Sequence, residues 1–191
     1  MGLRRALRGR TLRQRLRATP RRIVIGASGV FEDGWIPTDA YQLDLVDRET
    51  WRRYLELASV DALLAEHVWE HLTLEEGRLG AQICYSYLRP GGYIRVAVPD
   101  GLHPDPEYRE YIGIDGAAGG GIGGHKVVYT YKLLREVFEG AGFATRLLEY
   151  HDEAGQPHLS EWNPADGVIH RSSKHDPRGA VSIILDATKP A

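Results

Sequence analysis

Between Asp61 and Asp100 the chain reads as an apolar run at Ala62–Ala65, a polar cluster and a helical span over Leu74–Leu88. A Pro90-Gly91-Gly92 turn and a second apolar run at Tyr93–Val98 follow. Strand, helix, tight turn, strand is the pattern of an α/β sheet. In open sheets of this class the ligand crevice lies outside the carboxyl ends of the strands. Glu66, His67, Glu70 and His71 follow the first run directly, so the pattern places them near a probable site.

The rest of the chain extends this alternation. Arg22–Gly26 is a short apolar strand ending in the small loop Gly26-Ala27-Ser28-Gly29. Trp35–Thr38 reads as a second strand, Glu49–Leu57 as a helix, and Tyr131–Ala141 as a helix closed by Gly142. Residues 101–124 read as a long loop, mostly glycine near its end. Ala144–Tyr150 and Val181–Ala187 are the last strands, separated by a polar loop, His151–Gly179. Without a helix between them, these two strands could pair as an antiparallel edge hairpin. The expected architecture is a largely parallel sheet with helices on both faces.

Length and charge narrow the class. The chain's 191 residues, 42% of them hydrophobic, suffice for one real core. A single cysteine, Cys84, excludes an internal disulfide framework and fits a reducing, cytoplasmic setting. No apolar run approaches the roughly 18–20 residues of a membrane span, and no secretory signal is visible. Residues 1–22 hold nine arginines and no acid, so a total of −2 leaves −11 on the remainder. Leu3, Leu7, Leu12 and Leu16 recur loosely at helical spacing. The reading is a basic arm or helix over 1–21 lying on one domain over 22–191. Its charge would give the arm a weak contact with an anionic membrane surface. Nucleic-acid binding is not expected, because the acidic body lacks the basic face it needs.

Four constellations could carry chemistry. In Gly26-Ala27-Ser28-Gly29, small residues after a strand let backbone and ligand approach closely. Asp39 follows the second strand and could accept hydrogen bonds from both hydroxyls of a ribose; a turn or helix-cap role is the alternative. In His67-Val-Trp-Glu70-His71, two imidazoles four apart and a carboxylate could bind a divalent metal. The same pattern occurs in inverted zinc peptidases, but no third ligand segment follows it convincingly. The bland reading has Glu70 and His71 capping the loop while His67 touches cofactor or substrate. The glycine stretch 119–124 is a candidate lid ending at His125, a candidate general base. Last, the late loop carries Trp162, Arg171 and Arg178 among scattered histidines. Its arginines could grip carboxylate or phosphate, and Trp162 could stack on a sugar or ring.

The order Gly26-Ala-Ser-Gly, Gly34-Trp-Ile-Pro-Thr-Asp39, Asp44-Leu45, Ala65-Glu-His-Val-Trp-Glu-His71, Leu88-Arg-Pro-Gly-Gly92 and Val98-Pro-Asp100 resembles class I S-adenosylmethionine-dependent methyltransferases. The resemblance continues through Gly124-His125-Lys126, Gly140-Ala-Gly-Phe143 and Asp166–Arg178, covering roughly residues 22–190. It is nearest to small methyltransferases associated with surface-glycan and secondary-metabolite genes. It implies a Rossmann-like, mostly parallel seven-stranded sheet with an antiparallel last strand. S-adenosyl-L-methionine would be the cofactor. Gly26, Ala27, Ser28 and Gly29 would line its methionine part, Asp39 would hold the ribose, and Asp44 would lie near the adenine. Glu66 and His67 would sit beneath it. Two positions depart from the family pattern: Val24 stands where many relatives have an acid, and Ser28 where many have a second glycine.

The expected activity is therefore methyl transfer to a small-molecule or saccharide-type acceptor. His125 or His67 would remove a proton, and His71, His103, Trp162, Arg171 and Arg178 would contact the acceptor. No metal is assigned in this reading. The rivals are a silent binding module of the same fold and a metal-dependent hydrolase using His67, Glu70 and His71.

Overall fold

A computed structural model describes residues 12–114, 116–117 and 124–191. Most of the basic arm and of the glycine stretch expected to form a lid lies outside the described residues.

Seven strands form one sheet: β1 (Arg22–Ile25), β2 (Ile36–Pro37), β3 (Val60–Glu66), β4 (Leu88–Pro99), β5 (Ala144–His151), β6 (Pro157–Leu159) and β7 (Ser182–Thr188). Their spatial order is β2-β1-β3-β4-β7-β5-β6. β2, β1, β3 and β4 pair in parallel, and β7 runs antiparallel to both β4 and β5. The expected α/β sheet and its antiparallel last strand are present.

The edge position expected of the last strand is corrected. β7 does pair with β5, but it is inserted between β4 and β5. Its run Ser-Ile-Ile-Leu is buried at consecutive positions. A strand apolar on both faces gains most from neighbours on both sides. The seventh strand, β6, lies inside the late loop and is exposed along its length. Pro90-Gly91-Gly92 lies within β4, where the pairing with β3 slips register and Gly91 adopts φ +74°.

Helices α1 (Arg48–Arg52), α2 (Leu74–Tyr87), α3 (Pro106–Ile112) and α4 (Tyr131–Glu139) accompany the sheet. α2 begins in a reciprocal capping box, Thr73 with Glu76, which satisfies two otherwise orphaned N–H groups. Trp51, Ile83, Cys84, Leu134 and Phe138 bring α1, α2 and α4 onto one face of the sheet, against Ile23, Leu63, Val96 and Leu185. Leu12 and Leu16, the described end of the arm, join this core.

The other face carries Val24, Leu64, Ala97 and Ile184, covered by Trp162 and Ile169 of the late loop. No α-helix separates β5 from β7, only the 3₁₀ turn Pro164–Asp166, so the loop itself closes this side. Arg95 anchors it. This arginine is 2% exposed and pairs bidentately with Asp186 directly across the ladder. Its Nη1 also donates to the carbonyls of Asn163 and Gly167, and its guanidinium lies 4.8 Å from the Trp162 ring centroid. Among the described residues no helix is long and apolar enough to cross a membrane.

Candidate active site

β2 and β3 flank β1 on opposite sides, so the chain reverses direction across the sheet beside β1. Crevices form at such switch points. A cavity of about 420 Å³ opens there, lined by the end of β1, Gly26, Ala27, Ser28, Glu66, His67, Glu70, His71 and His125. Tyr108, Tyr111 and Ile112 of α3 close another wall, and His170, Arg171 and Arg178 of the late loop complete it.

The loop after β1 is built on left-handed backbone. Gly26, Ser28 and Gly29 have φ of +64°, +46° and +88°. A Cβ on Gly26 would stand 2.7 Å from Val68 Cγ2, so only glycine fits there without movement. Ser28, the departure from the family pattern, takes the backbone region that a glycine would take. Its N–H donates to Asp39 Oδ1 at 2.9 Å, which ties the loop to the end of β2. Asp39 Oδ2 has no partner among the described residues. Gly29 and Asp39 stand beside the cavity rather than on its wall. Asp44 lies farther along, where its Oδ1 accepts from Val46 N and its carbonyl from Trp51 Nε1.

At the end of β3 the polar cluster divides its tasks. Glu66 accepts from the backbone N–H groups of His170 and Arg171, drawing the late loop to the cavity. His67 sits at φ +54°, with Nε2 3.0 Å from Ser182 Oγ and Nδ1 3.2 Å from Glu70 Oε1. Nε2 is engaged by the serine, and Nδ1 faces the Glu70 carboxylate. The Glu70 contact is too poorly aligned for a hydrogen bond. Both Glu70 carboxylate oxygens are buried and accept none among the described residues.

The short 3₁₀ turn Trp69–His71 then captures a distant segment. Glu70's carbonyl accepts from Lys126 N and Val127 N, and His71 Nδ1 donates to the Gly124 carbonyl. His125 is thereby brought against His71, their ring centroids 5.1 Å apart. The His125 Nδ1 donates to the carbonyl of Ile112, at the end of α3. Ligand atoms of Glu70, His71 and His125 lie within 4.8 Å of one another. The set expected for the hydrolase rival, with His67 in place of His125, is not the one assembled.

Three expected acceptor contacts lie elsewhere or are already occupied. Trp162 is buried off the cavity, donating from Nε1 to Glu149 Oε1. His103 packs against Tyr108 and His151; burial first, and His151 second, lower its pKa. Arg178 reaches the cavity, but Asp176 takes its Nε and Nη2. Arg171 keeps its guanidinium without a carboxylate partner among the described residues.

Some of the wall was not anticipated. α3 stands within the stretch read from the sequence as loop, and Asp105-Pro106-Glu107 is its start: an N-cap, a proline in the first turn and a first-turn acid. Val30 and Phe31 also line the cavity and are exposed apolar residues.

Neither a family model nor a curated protein matches the sequence. Solved structures do match its fold. An S-adenosylmethionine-dependent methyltransferase from Archaeoglobus fulgidus is 16% identical, with a TM-score of 0.54 over 97% of this chain and 94% of its own. One from Mesorhizobium loti is 15% identical, with a TM-score of 0.53 over 94% of this chain and 96% of its own. Human N-acetylserotonin methyltransferase, solved with S-adenosylmethionine, is 13% identical, with a TM-score of 0.51 over 97% of this chain and 52% of its own. This chain has the class I methyltransferase fold. In that fold's terms, the cavity lies at the β1 loop, and β7 is the antiparallel strand within the sheet.

Proposed function

We propose that this protein is an S-adenosylmethionine-dependent methyltransferase acting on a small-molecule acceptor. The observation that carries the reading is one cavity at the switch point, lined both by the Gly26–Ser28 loop and by His71 and His125. The residues present fit the cofactor. The loop is a cradle that a Cβ at Gly26 would disturb, and Asp39 fixes it with one oxygen while the other is left to accept from a ribose hydroxyl.

When bound, the cofactor supplies an electrophilic methyl group on a sulfonium. The chain's own task is alignment and exclusion of water. Tyr108, Tyr111, Ile112 and Phe31 give an apolar wall for an acceptor, and Arg171 offers a cation to an anionic part of it. An acceptor hydroxyl or amine must also lose a proton. Of the two histidines expected to take it, His67 has Nε2 on Ser182 Oγ and Nδ1 turned to the buried Glu70 carboxylate rather than to an acceptor. His125 has Nδ1–H fixed on a carbonyl, which leaves Nε2 with its lone pair. We therefore assign His125 as the base in the metal-free protein.

The test is release of S-adenosylhomocysteine from S-adenosylmethionine with a panel of hydroxyl, amine and carboxylate acceptors. Acceptor-dependent release, lost in His125→Ala, is expected. Protein that binds the cofactor but releases none with any acceptor would favour the silent module.

A further inference from the structure

We propose that Glu70, His71 and His125 form a site for one divalent transition-metal ion, open to the cavity. Three observations converge on it. The ligand atoms of the three side chains lie within 4.8 Å of one another, and all three residues line the cavity wall. Both carboxylate oxygens of Glu70, a residue 1% exposed, accept no hydrogen bond among the described residues. Native proteins leave few such groups without a partner, and a cation is one remedy.

The histidines supply the third observation. His71 Nδ1 lies 2.9 Å from the Gly124 carbonyl and His125 Nδ1 2.7 Å from the Ile112 carbonyl. A carbonyl only accepts, so Nδ1 carries the proton in both rings. In the neutral ring Nε2 is then an unprotonated donor atom. A backbone carbonyl on the far nitrogen is the arrangement that orients metal-binding imidazoles. Neutral rings of this tautomer cannot donate from Nε2 to Glu70, and His67 Nδ1, 3.2 Å from Oε1, makes no hydrogen bond to it, so the carboxylate keeps a close nitrogen but no donor.

Two imidazoles and one carboxylate suit zinc, cobalt, nickel, iron or manganese better than magnesium or calcium. Tetrahedral ligand atoms about 2.1 Å from an ion stand about 3.4 Å from one another. The three side chains therefore draw inward on the ion as it binds. Three protein ligands leave positions for an oxygen of the acceptor, whose proton such an ion makes more acidic. This last step rests on the methyltransferase reading; the ion site does not. A coordinated His125 takes no proton, so the loaded site replaces its role as base.

Cobalt(II) titration of the chelator-treated full chain, followed by visible absorption at pH 7.5, tests the site. One equivalent is expected to produce d–d bands that zinc abolishes and millimolar magnesium does not. His71→Ala and His125→Ala should each weaken cobalt binding by at least about 10-fold, the scale on which metal sites respond even to outer-shell changes. Glu70→Gln, which keeps the side chain's size, should do likewise. Wild-type protein showing no bands, or binding cobalt unchanged in both histidine variants, would overturn the proposal. Displacement by magnesium would overturn the transition-metal assignment. S-adenosylhomocysteine binding, measured in parallel, separates the two readings. Cofactor without cobalt refutes the ion site alone, and cobalt without cofactor refutes the methyltransferase reading alone.

Discussion

The Ser28 N–H donates to Asp39 Oδ1 at 2.9 Å, joining the loop after β1 to the end of β2. One carboxylate oxygen thus holds the cradle, and the proposed function gives the other to a ribose hydroxyl. Asp39→Ala removes both functions. Affinity for S-adenosylhomocysteine should fall about 10–100-fold, the scale of one or two charge-assisted hydrogen bonds. Calorimetry checks this. Unchanged affinity in a folded variant would remove Asp39 from the cofactor site.

Gly26 makes a separable prediction. Gly26→Ala meets a left-handed φ and a 2.7 Å approach to Val68 Cγ2. Stability should drop by about 1–2 kcal/mol in urea unfolding. The double variant Gly26→Ala with Val68→Ala relieves the contact but not the backbone strain, so it should recover cofactor affinity more than the φ-dependent part of the stability.

Arg95 holds the late loop that closes one face of the sheet. Arg95→Met leaves Asp186 and the carbonyls of Asn163 and Gly167 without their donor. Breaking such a buried pair costs about 3–5 kcal/mol. Adding Asp186→Leu removes the stranded charge and should restore a large part of that loss. Equal instability of the single and double variants would show that packing, not charge, dominates there.

Acid should weaken a second anchor. Burial alone would raise the Asp61 pKa, but the Arg21 backbone N–H and the Arg89 guanidinium outweigh it and hold the carboxyl below its ordinary range. A depressed folded pKa gives stability that is fully present above the unfolded value of about 3.9 and lost as pH falls through the folded value. Asp61→Asn should therefore be less stable than wild type by about 1 kcal/mol at pH 7, with the gap closing as pH falls below the ordinary carboxylate range. A gap independent of pH in urea unfolding would contradict this.

What the sequence disclosed follows from how local each signal is. β1, β3 and β4 are apolar runs, and the Gly26 loop and the Glu66–His71 cluster adjoin two of them, so strand ends and cavity could be read together. The apolar run of β7 was visible, but its insertion between β4 and β5 depends on pairings across the whole sheet. β6 is exposed and short, and carries no apolar alternation. The approach of His125 to Glu70 rests on backbone hydrogen bonds between residues 56 and 57 apart, which no spacing rule predicts. Trp162 looked like a ligand platform because its burial against Arg95 and Glu149 comes only from the folded late loop.

The central claim is that the switch-point cavity binds the methyltransferase cofactor. Titration calorimetry of the full chain with S-adenosylhomocysteine tests it most directly, because the product binds without turning over. A one-to-one isotherm with micromolar affinity, weakened in Asp39→Ala, is the predicted result. No heat at millimolar ligand from folded protein would contradict the account.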